Sequence, residues 1–273
     1  MASDFNPFQS ELLFTRPKRL HLKSAWNEHV PFAMMLVELQ RPRVFVELGT
    51  HWGVSYCACC QAVTAVDSKT RCFAVDTWVG DDNAGFYGQE VYDDLKKHHE
   101  QYESFSKLLR MTFDEALQQI PDKSVDLLHI DGLHTYEAVK RDYETWLPKV
   151  SERGLVLFHD TAVTEHDFGV HKLWAELSRD FPSFNFEHGF GLGVLAVGKE
   201  QPEAIRQFLL AATARPDATR QLFSALGHRL LCQEEKKELA RKAQVKRNWL
   251  GRAFGRLKGR KARRKARAVG KGA

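Results

Sequence analysis

Five short apolar runs, each followed by a segment of helical length, are the feature that most limits what this chain can fold into. The runs are VFVEL (44–48), CFAVD (72–76), LLRMTF (108–113), VDLLHID (125–131) and LVLFHD (155–160). Each is rich in branched or aromatic residues and too short for a helix, the pattern of strands buried on both faces. Between and around them lie helical segments, about 54–63, 89–102, 114–119, 136–147 and 169–179, with a further helix before the first strand at about 24–39 and Pro42 just beyond it. Alternation at this spacing implies parallel strands joined by right-handed crossovers with helices on both faces. FNFEHG and LGVLAVG, separated by a Gly-rich turn, predict a closing antiparallel hairpin. The expected fold is therefore α/β: a Rossmann-like, doubly wound, mostly parallel sheet of seven strands with a C-terminal hairpin. Its segments are a lead-in and helix (1–42), the α/β domain (43–200), C-terminal helices (201–233) and a tail (234–273).

Composition matters here for its asymmetry. The chain of 273 residues carries 40 Lys/Arg and 35 Asp/Glu, but residues 236–273 hold 16 of the bases and a single acid, Glu238. The remainder has 24 bases and 34 acids, so an acidic body precedes a strongly basic tail. Within the tail, Leu239, Ala243, Leu250, Ala253, Phe254 and Leu257 recur at a spacing that puts them near one helical face. Three readings stay open for it: a peripheral contact with an anionic membrane, a solvated tail, and nucleic-acid binding, for which no recognisable motif speaks. No apolar run reaches the length of a transmembrane helix, and the N-terminus has no basic stretch leading into an apolar one, so a cytoplasmic chain, peripheral at the inner membrane face if the tail docks there, is expected. Cys57, Cys59, Cys60, Cys72 and Cys232 are odd in number and lack metal-ligand spacing, and read as small buried apolar residues.

In a sheet of this kind ligands bind beyond the carboxyl ends of the strands. Polar residues gather at those ends. The first strand runs into Glu47-Leu48-Gly49-Thr50-His51-Trp52-Gly53, where Gly49 and Gly53 allow a tight turn and close approach of a ligand. The GxxxG spacing differs from the GxGxxG that admits a pyrophosphate. An acid at 47 suits a ligand with a cationic amino group and no phosphate, as in S-adenosylmethionine. Asp76 ends the second strand, where a carboxylate can accept both hydroxyls of a ribose, with Thr77 and Trp78 beside it. Asp131 and His134 follow the fourth strand and His159-Asp160-Thr161 the fifth. A histidine there can serve as a general base, and Asp131 and Asp160 can share a hard divalent cation such as Mg²⁺. Helix capping is the structural alternative for both aspartates. The string Gly191-x-Gly193-x-x-Ala196 imitates a nucleotide loop but sits inside a strand pattern and is rejected.

Taken together, ELGTHWGVS, VDTWVGDDNAGFYG and LLHIDGLHTYEAVKRDYETWLPKVSERGLVLFHDT resemble the class I S-adenosylmethionine-dependent methyltransferases over about 24–200, and more narrowly the macrocin O-methyltransferase and cephalosporin-hydroxylase-like subfamily. The resemblance implies transfer of a methyl group to a hydroxyl of a sugar or glycan, in surface polysaccharide or glycoside synthesis. It implies that Glu47 and Gly49 hold the methionine part of the cofactor and Asp76 the ribose, that Asp131 and Asp160 bind a divalent metal and that His134 is the catalytic base; Thr50, Gly53, Thr77, Trp78 and Asp131 are further candidates for the cofactor site, Asp131 for catalysis and His159 for the metal. Metal-dependent members usually have two adjacent acids at the end of the fifth strand; here the first is His159. The stretch 80–88 resembles a lid-like loop in which Asp81 and Asp82 could touch the acceptor. A homo-oligomer is compatible with the helices of 201–233. A hydroxylase-like relative, or a non-catalytic or RNA-directed protein using the tail, are the other functional classes.

Overall fold

A computed structural model describes residues 5–22, 24–81 and 85–269, with side chains to residue 248. It divides into two compact units, Met1–Leu230 and Leu231–Ala273. The seven strands of the first unit are β1 (Val44–Leu48), β2 (Arg71–Asp76), β3 (Ser106–Arg110), β4 (Val125–Ile130), β5 (Val150–His159), β6 (Ser183–Phe186) and β7 (Leu192–Ala196). They form one sheet in the order β3-β2-β1-β4-β5-β7-β6. Every pairing up to β5 is parallel; β7 runs antiparallel to both β5 and β6. This is the doubly wound sheet with a closing hairpin that the alternation predicts. Strand order reverses between β1 and β4, which fixes the crevice where a ligand can enter.

Two buried clusters cover the faces of the sheet. One joins α1 (Val30–Gln40) and α2 (Val54–Ala65) to β1, β2 and the residues of α7 (Glu203–Ala214) through Phe32, Phe45, Tyr56, Phe186 and Phe208. The other packs α5 (Tyr136–Trp146) and α6 (Val170–Leu177) against β4 and β5 through Trp146, Phe158 and Trp174. α3 (Gln89–His99) and the single turn α4 (Phe113–Ala116) complete the helices between strands. The four cysteines at 57, 59, 60 and 72 are buried and unpaired, in keeping with their reading as small apolar residues.

Several boundaries differ from expectation for local reasons. β3, expected over 108–113, is Ser106–Arg110, because Thr112 caps the turn that starts at Phe113. The helix foreseen from residue 24 begins at Val30 and is preceded by a 3₁₀ segment, Ala25–His29; Pro31 in the first α turn lacks the N–H that would continue an α pattern backward. β5 starts five residues earlier than its apolar run, because Val150 pairs with Val125 of β4 and the polar Ser151–Gly154 stretch forms the register shift before pairing resumes at Leu155. The stretch 80–88 holds a two-residue hairpin, Gly80–Asp81 with Gly85–Phe86; Asp82 lies outside the described residues. The Gly191–Gly193 string is in and beside β7, as its strand pattern requires.

The second unit is helical from Leu231, within α8 (Pro216–Val269). Its described side chains are largely exposed through residue 248, and Glu238 pairs with Arg241 and Lys242 one turn on. The tail residues Leu250, Ala253, Phe254 and Leu257 lie beyond the described side chains. Among the described residues no helix is long and apolar enough to cross a membrane.

Candidate active site

The turn from β1 into α2 forms the floor of the site. Gly49 has φ +85°, and a Cβ on it would lie 2.0 Å from the backbone oxygen of Asp131. Glycine at this position therefore lets the β1 turn close onto the end of β4, where the Asp131 amide donates to the Leu48 carbonyl (2.8 Å). Asp76 organises the same turn from the side. Its Oδ2 accepts from the amides of Thr50 (2.9 Å) and His51 (2.8 Å), and its Oδ1 from the amide of Trp78 (2.6 Å). A carboxylate has about four lone-pair positions. With three engaged, Asp76 ties two loops together as well as lining the cleft.

Three other expected cofactor residues also take supporting places. Glu47 is fully buried beneath the floor and pairs with His129 Nδ1 (2.9 Å), its neighbour in the β1–β4 register. Burial raises the Glu47 pKa, against the opposing pull of His129. It therefore does not present an acid to the cleft. Trp78 is buried too, with its indole N–H on the His51 carbonyl (3.0 Å), and braces the loop from behind. Gly53, φ +68°, caps α2 and donates to the Thr50 carbonyl (2.7 Å) without lining the cleft. Gly49, Thr50, Asp76, Thr77 and Asp131 do line it.

At the other end of the same cleft, Asp131, His134, His159 and Asp160 converge. His134 Nε2 is 2.9 Å from Asp160 Oδ2 and 3.7 Å from Asp131 Oδ1. His159 Nδ1 is 3.1 Å from Asp160 Oδ2 and 3.3 Å from Asp131 Oδ1. Asp160 reaches this position with φ +61°, a strained conformation for a residue with a side chain. The remaining nitrogen of His159 donates to the Gly189 carbonyl (3.1 Å), and the His134 ring stacks on Phe168 with centroids 4.7 Å apart. Burial alone would lower the pKa of both imidazoles. The two carboxylates outweigh it and push His134 up to about 9 and His159 up to about 10. Burial would likewise raise the aspartates, but the imidazoles hold Asp131 well below the usual carboxylate range and Asp160 below it. The carboxylates thus favour the protonated ring at His134, the expected general base, in this arrangement.

Two protonated imidazoles and two carboxylates are neutral as a set. With the imidazoles neutral, the same four groups carry two negative charges, and three of them, Asp131, His134 and Asp160, form a donor set suited to a divalent cation. Asp131, His134 and Asp160 have donor atoms all within 4.8 Å of one another. His134 thus joins the expected metal residues Asp131 and Asp160, whereas His159, also expected, lies outside that group. Sequence reading missed Trp26, whose ring lies 4.6 Å from His129 and 5.5 Å from His159, and the stacking partner Phe168. Both come from segments far away in sequence, and no local pattern marks them.

The two ends belong to one cleft of about 630 Å³, lined by Thr50, Asp76 and Phe113 on one side and by His134, Asp160 and Phe168 on the other. Residues 46–161 match the family model of a methyltransferase domain. That segment runs from within β1 to just past the end of β5 and holds Glu47, Asp76, Asp131, His134, His159 and Asp160. An uncharacterized protein of Sinorhizobium fredii, y4gI, is 54% identical over 204 residues, which is 75% of this chain and 22% of that protein. The chain thus spans about a fifth of the curated relative it matches. Among solved structures, an O-methyltransferase from Bacillus cereus in complex with SAH is similar at 13% identity, covering 67% of this chain and 84% of that one with a TM-score of 0.48. TomG, an O-methyltransferase of Streptomyces achromogenes involved in tomaymycin synthesis and in complex with SAM, is similar at 13% identity, covering 70% and 94% with a TM-score of 0.48.

Within the methyltransferase-domain segment the division of labour is physical. The Asp76-organised turn offers a backbone cradle and no phosphate-binding glycine loop. The Asp131–Asp160 end offers two carboxylates paired with two imidazoles. Exposed apolar side chains, Leu133 and Phe190, stand at the rim beside the second end.

Proposed function

We propose that the chain is an S-adenosylmethionine-dependent O-methyltransferase acting on a sugar or glycan hydroxyl. The observation that carries this reading is the continuity of the cleft: a nucleoside-sized end built by Gly49, Thr50 and Asp76 opens directly onto a proton-handling cluster at Asp131, His134 and Asp160. The methyltransferase-domain match over the same residues supports it.

Methyl transfer by inversion needs the acceptor oxygen, the methyl carbon and the sulfonium in line, so the main contribution of the protein is positioning. Asp76 and the amides it gathers fix the floor on which the nucleoside rests. Phe168, Phe190 and Leu133 give the acceptor end apolar surfaces suited to the C–H face of a ring. A divalent cation held by Asp131 and Asp160, when bound, would lower the pKa of an acceptor hydroxyl. The acceptor proton passes to the carboxylate–imidazole cluster, with His134 taking it up when that ring is not already doubly protonated. Calorimetric titration of the full chain with S-adenosylmethionine and S-adenosylhomocysteine, followed by a labelled-methyl screen over nucleotide sugars and lipid-linked glycans, tests the reading. Uptake of both nucleosides and label in a glycan are expected; a folded chain that takes up neither overturns it.

For the basic helix we propose docking to an anionic lipid surface, supported by its charge and by the spacing of its apolar residues. That would hold the enzyme where lipid-linked acceptors are made.

A further inference from the structure

We infer that Phe190 is the acceptor-selecting residue of the cleft, and that the unit it seats is a glycosidically linked sugar free of phosphate, so that methylation follows the glycosyl transfer that removes the nucleoside diphosphate. The inference deepens the reading of the chain as a sugar O-methyltransferase and rests on it.

Phe190 stands in the turn between β6 and β7. It is 57% exposed, a large apolar side chain left facing water, and it lines the acceptor end of the cleft. Its φ of +68° is left-handed, a conformation that bulky side chains rarely take. Gly189 and Gly191, at φ +56° and +93°, flank it, so glycine fills the neighbouring positions of the turn and a phenylalanine stands between them. The turn is tied to the residues just after Asp160. The Ala162 amide donates to the Phe190 carbonyl (2.9 Å), and a Cβ on Gly191 would lie 2.4 Å from the Ala162 nitrogen. Backbone contacts, rather than burial of the ring, therefore fix where the ring stands. Strain kept at an exposed aromatic on the wall of a cleft points to a ligand for that aromatic. The face of an aromatic ring is electron-rich and attracts the C–H groups along one side of a sugar. Phe168 and Leu133 add further apolar lining.

The charges of the cleft decide what the sugar can carry. Asp76, Asp131, Asp160 and Glu165 bring carboxylates to its lining, Glu165 in an exposed position, and among the described residues no lysine or arginine lines it. The imidazoles of His134 and His159 are engaged with Asp131 and Asp160 at 2.9 to 3.7 Å. Phosphate is ordinarily gripped by arginine forks or lysine charges, and a lining of carboxylates repels it. A glycosidic linkage presents the same sugar hydroxyls with no charge beside them. In the supplying reaction the bond from the anomeric carbon to the diphosphate breaks, a glycosidic C–O bond forms and the nucleoside diphosphate leaves. In this cleft a hydroxyl oxygen then takes the methyl group as the sulfur–methyl bond breaks, and its proton passes to the carboxylate–imidazole cluster.

The test uses the full chain and S-adenosylmethionine carrying a labelled methyl group. The acceptors are matched sets of glucose, galactose, mannose, rhamnose and fucose, each as methyl glycoside, disaccharide, 1-phosphate and nucleoside-diphosphate sugar. Glycosides should be methylated with kcat/KM at least about tenfold above their phosphorylated forms. Phe190→Ala should raise KM for the best glycoside about tenfold with kcat held within about twofold, and Phe190→Tyr should restore it. Phe190→Gly should lose the same affinity while its melting temperature stays level or rises, because glycine accepts the left-handed backbone. Glu165→Lys should narrow the gap between glycosides and phosphorylated sugars. S-adenosylhomocysteine affinity, read by calorimetry on each variant, should not change. Phosphorylated sugars used as well as glycosides, a KM unmoved by Phe190→Ala, or a melting temperature several degrees lower in Phe190→Gly overturns the inference and leaves sugar methylation standing. Label in neither class of acceptor, with S-adenosylhomocysteine still bound, overturns it and leaves only the nucleoside end of the cleft. A folded chain that takes up neither nucleoside sinks the proposed function and this inference together.

Discussion

Gly49 shows how one residue can decide the site. Its position demands both a positive φ and open space where the Asp131 carbonyl stands. Gly49→Ala should therefore cost several kcal/mol, about 2–4, since backbone on both sides must shift. Urea titration should show the loss, and calorimetry should show S-adenosylhomocysteine affinity falling at least tenfold; unchanged stability would mean that the turn is looser than described. Asp142 makes a different single-residue prediction. Burial, and repulsion from Asp114 that Arg141 only partly offsets, push its pKa up to about 7. The unfolded chain binds that proton only below about 4. Between these values the folded state holds more protons, so stability falls as pH rises from about 4 to about 7 and this contribution is flat above. Asp142→Asn should then stabilise the chain at pH 8, on the order of 1 kcal/mol after allowance for partial exposure, and much less at pH 4. Thermal unfolding at the two pH values checks it; an equal effect at both would refute the shift.

At the scale of elements, the β1–α2 turn and the end of β2 act as one part because Asp76 ties them. Asp76→Ala releases the amides of Thr50, His51 and Trp78 together. Hydrogen bonds to a charged group contribute roughly 1.5–3 kcal/mol each in the favourable range, though not additively. The expected outcome is a drop in melting temperature of several degrees together with loss of nucleoside binding. Asp76→Asn, which keeps one acceptor, should recover part of both. A variant that loses binding with unchanged stability would return Asp76 to a purely ligand-facing role. The strands and their order of appearance were legible because burial on both faces forces near-continuous apolar runs, and that signal is local. The polar start of β5 was not legible, since Ser151 and Glu152 lie in the bulge between the Val150–Val125 and Leu155–Leu127 pairings with β4, which no local pattern marks. The same limit separates the site residues. Asp131, His134 and Asp160 stand at predicted strand ends and were found there. Glu47 was assigned to the cleft because a strand-end acid looks exposed; only the β1–β4 register reveals His129 beside it. Trp26 enters from a segment more than a hundred residues before its partner His159, and no sequence period links them.

On the scale of the whole molecule, the contrast is between an acidic body and a basic helix. The full chain should co-sediment with vesicles containing about a third phosphatidylglycerol and stay in solution with neutral vesicles. Release should be progressive as salt rises from about 0.1 to 0.5 M, the signature of surface charge screened over a Debye length near 10 Å. A chain ending at residue 233 should lose vesicle binding and keep S-adenosylhomocysteine affinity. Binding to neutral vesicles at equal strength, or binding to RNA in preference to either, would refute the lipid assignment. The body bears one more long-range tie. The Gly189 carbonyl receives N–H groups from both His159 and His29, so a single oxygen in the β6–β7 turn touches the cleft and the start of α1 at once. Hairpin loops usually tolerate insertions and drift between related proteins. This one has lost that freedom: a residue added or removed there would misplace the oxygen and unseat two rings in different segments. Relatives sharing the paired histidines should keep the loop length fixed while neighbouring surface loops vary.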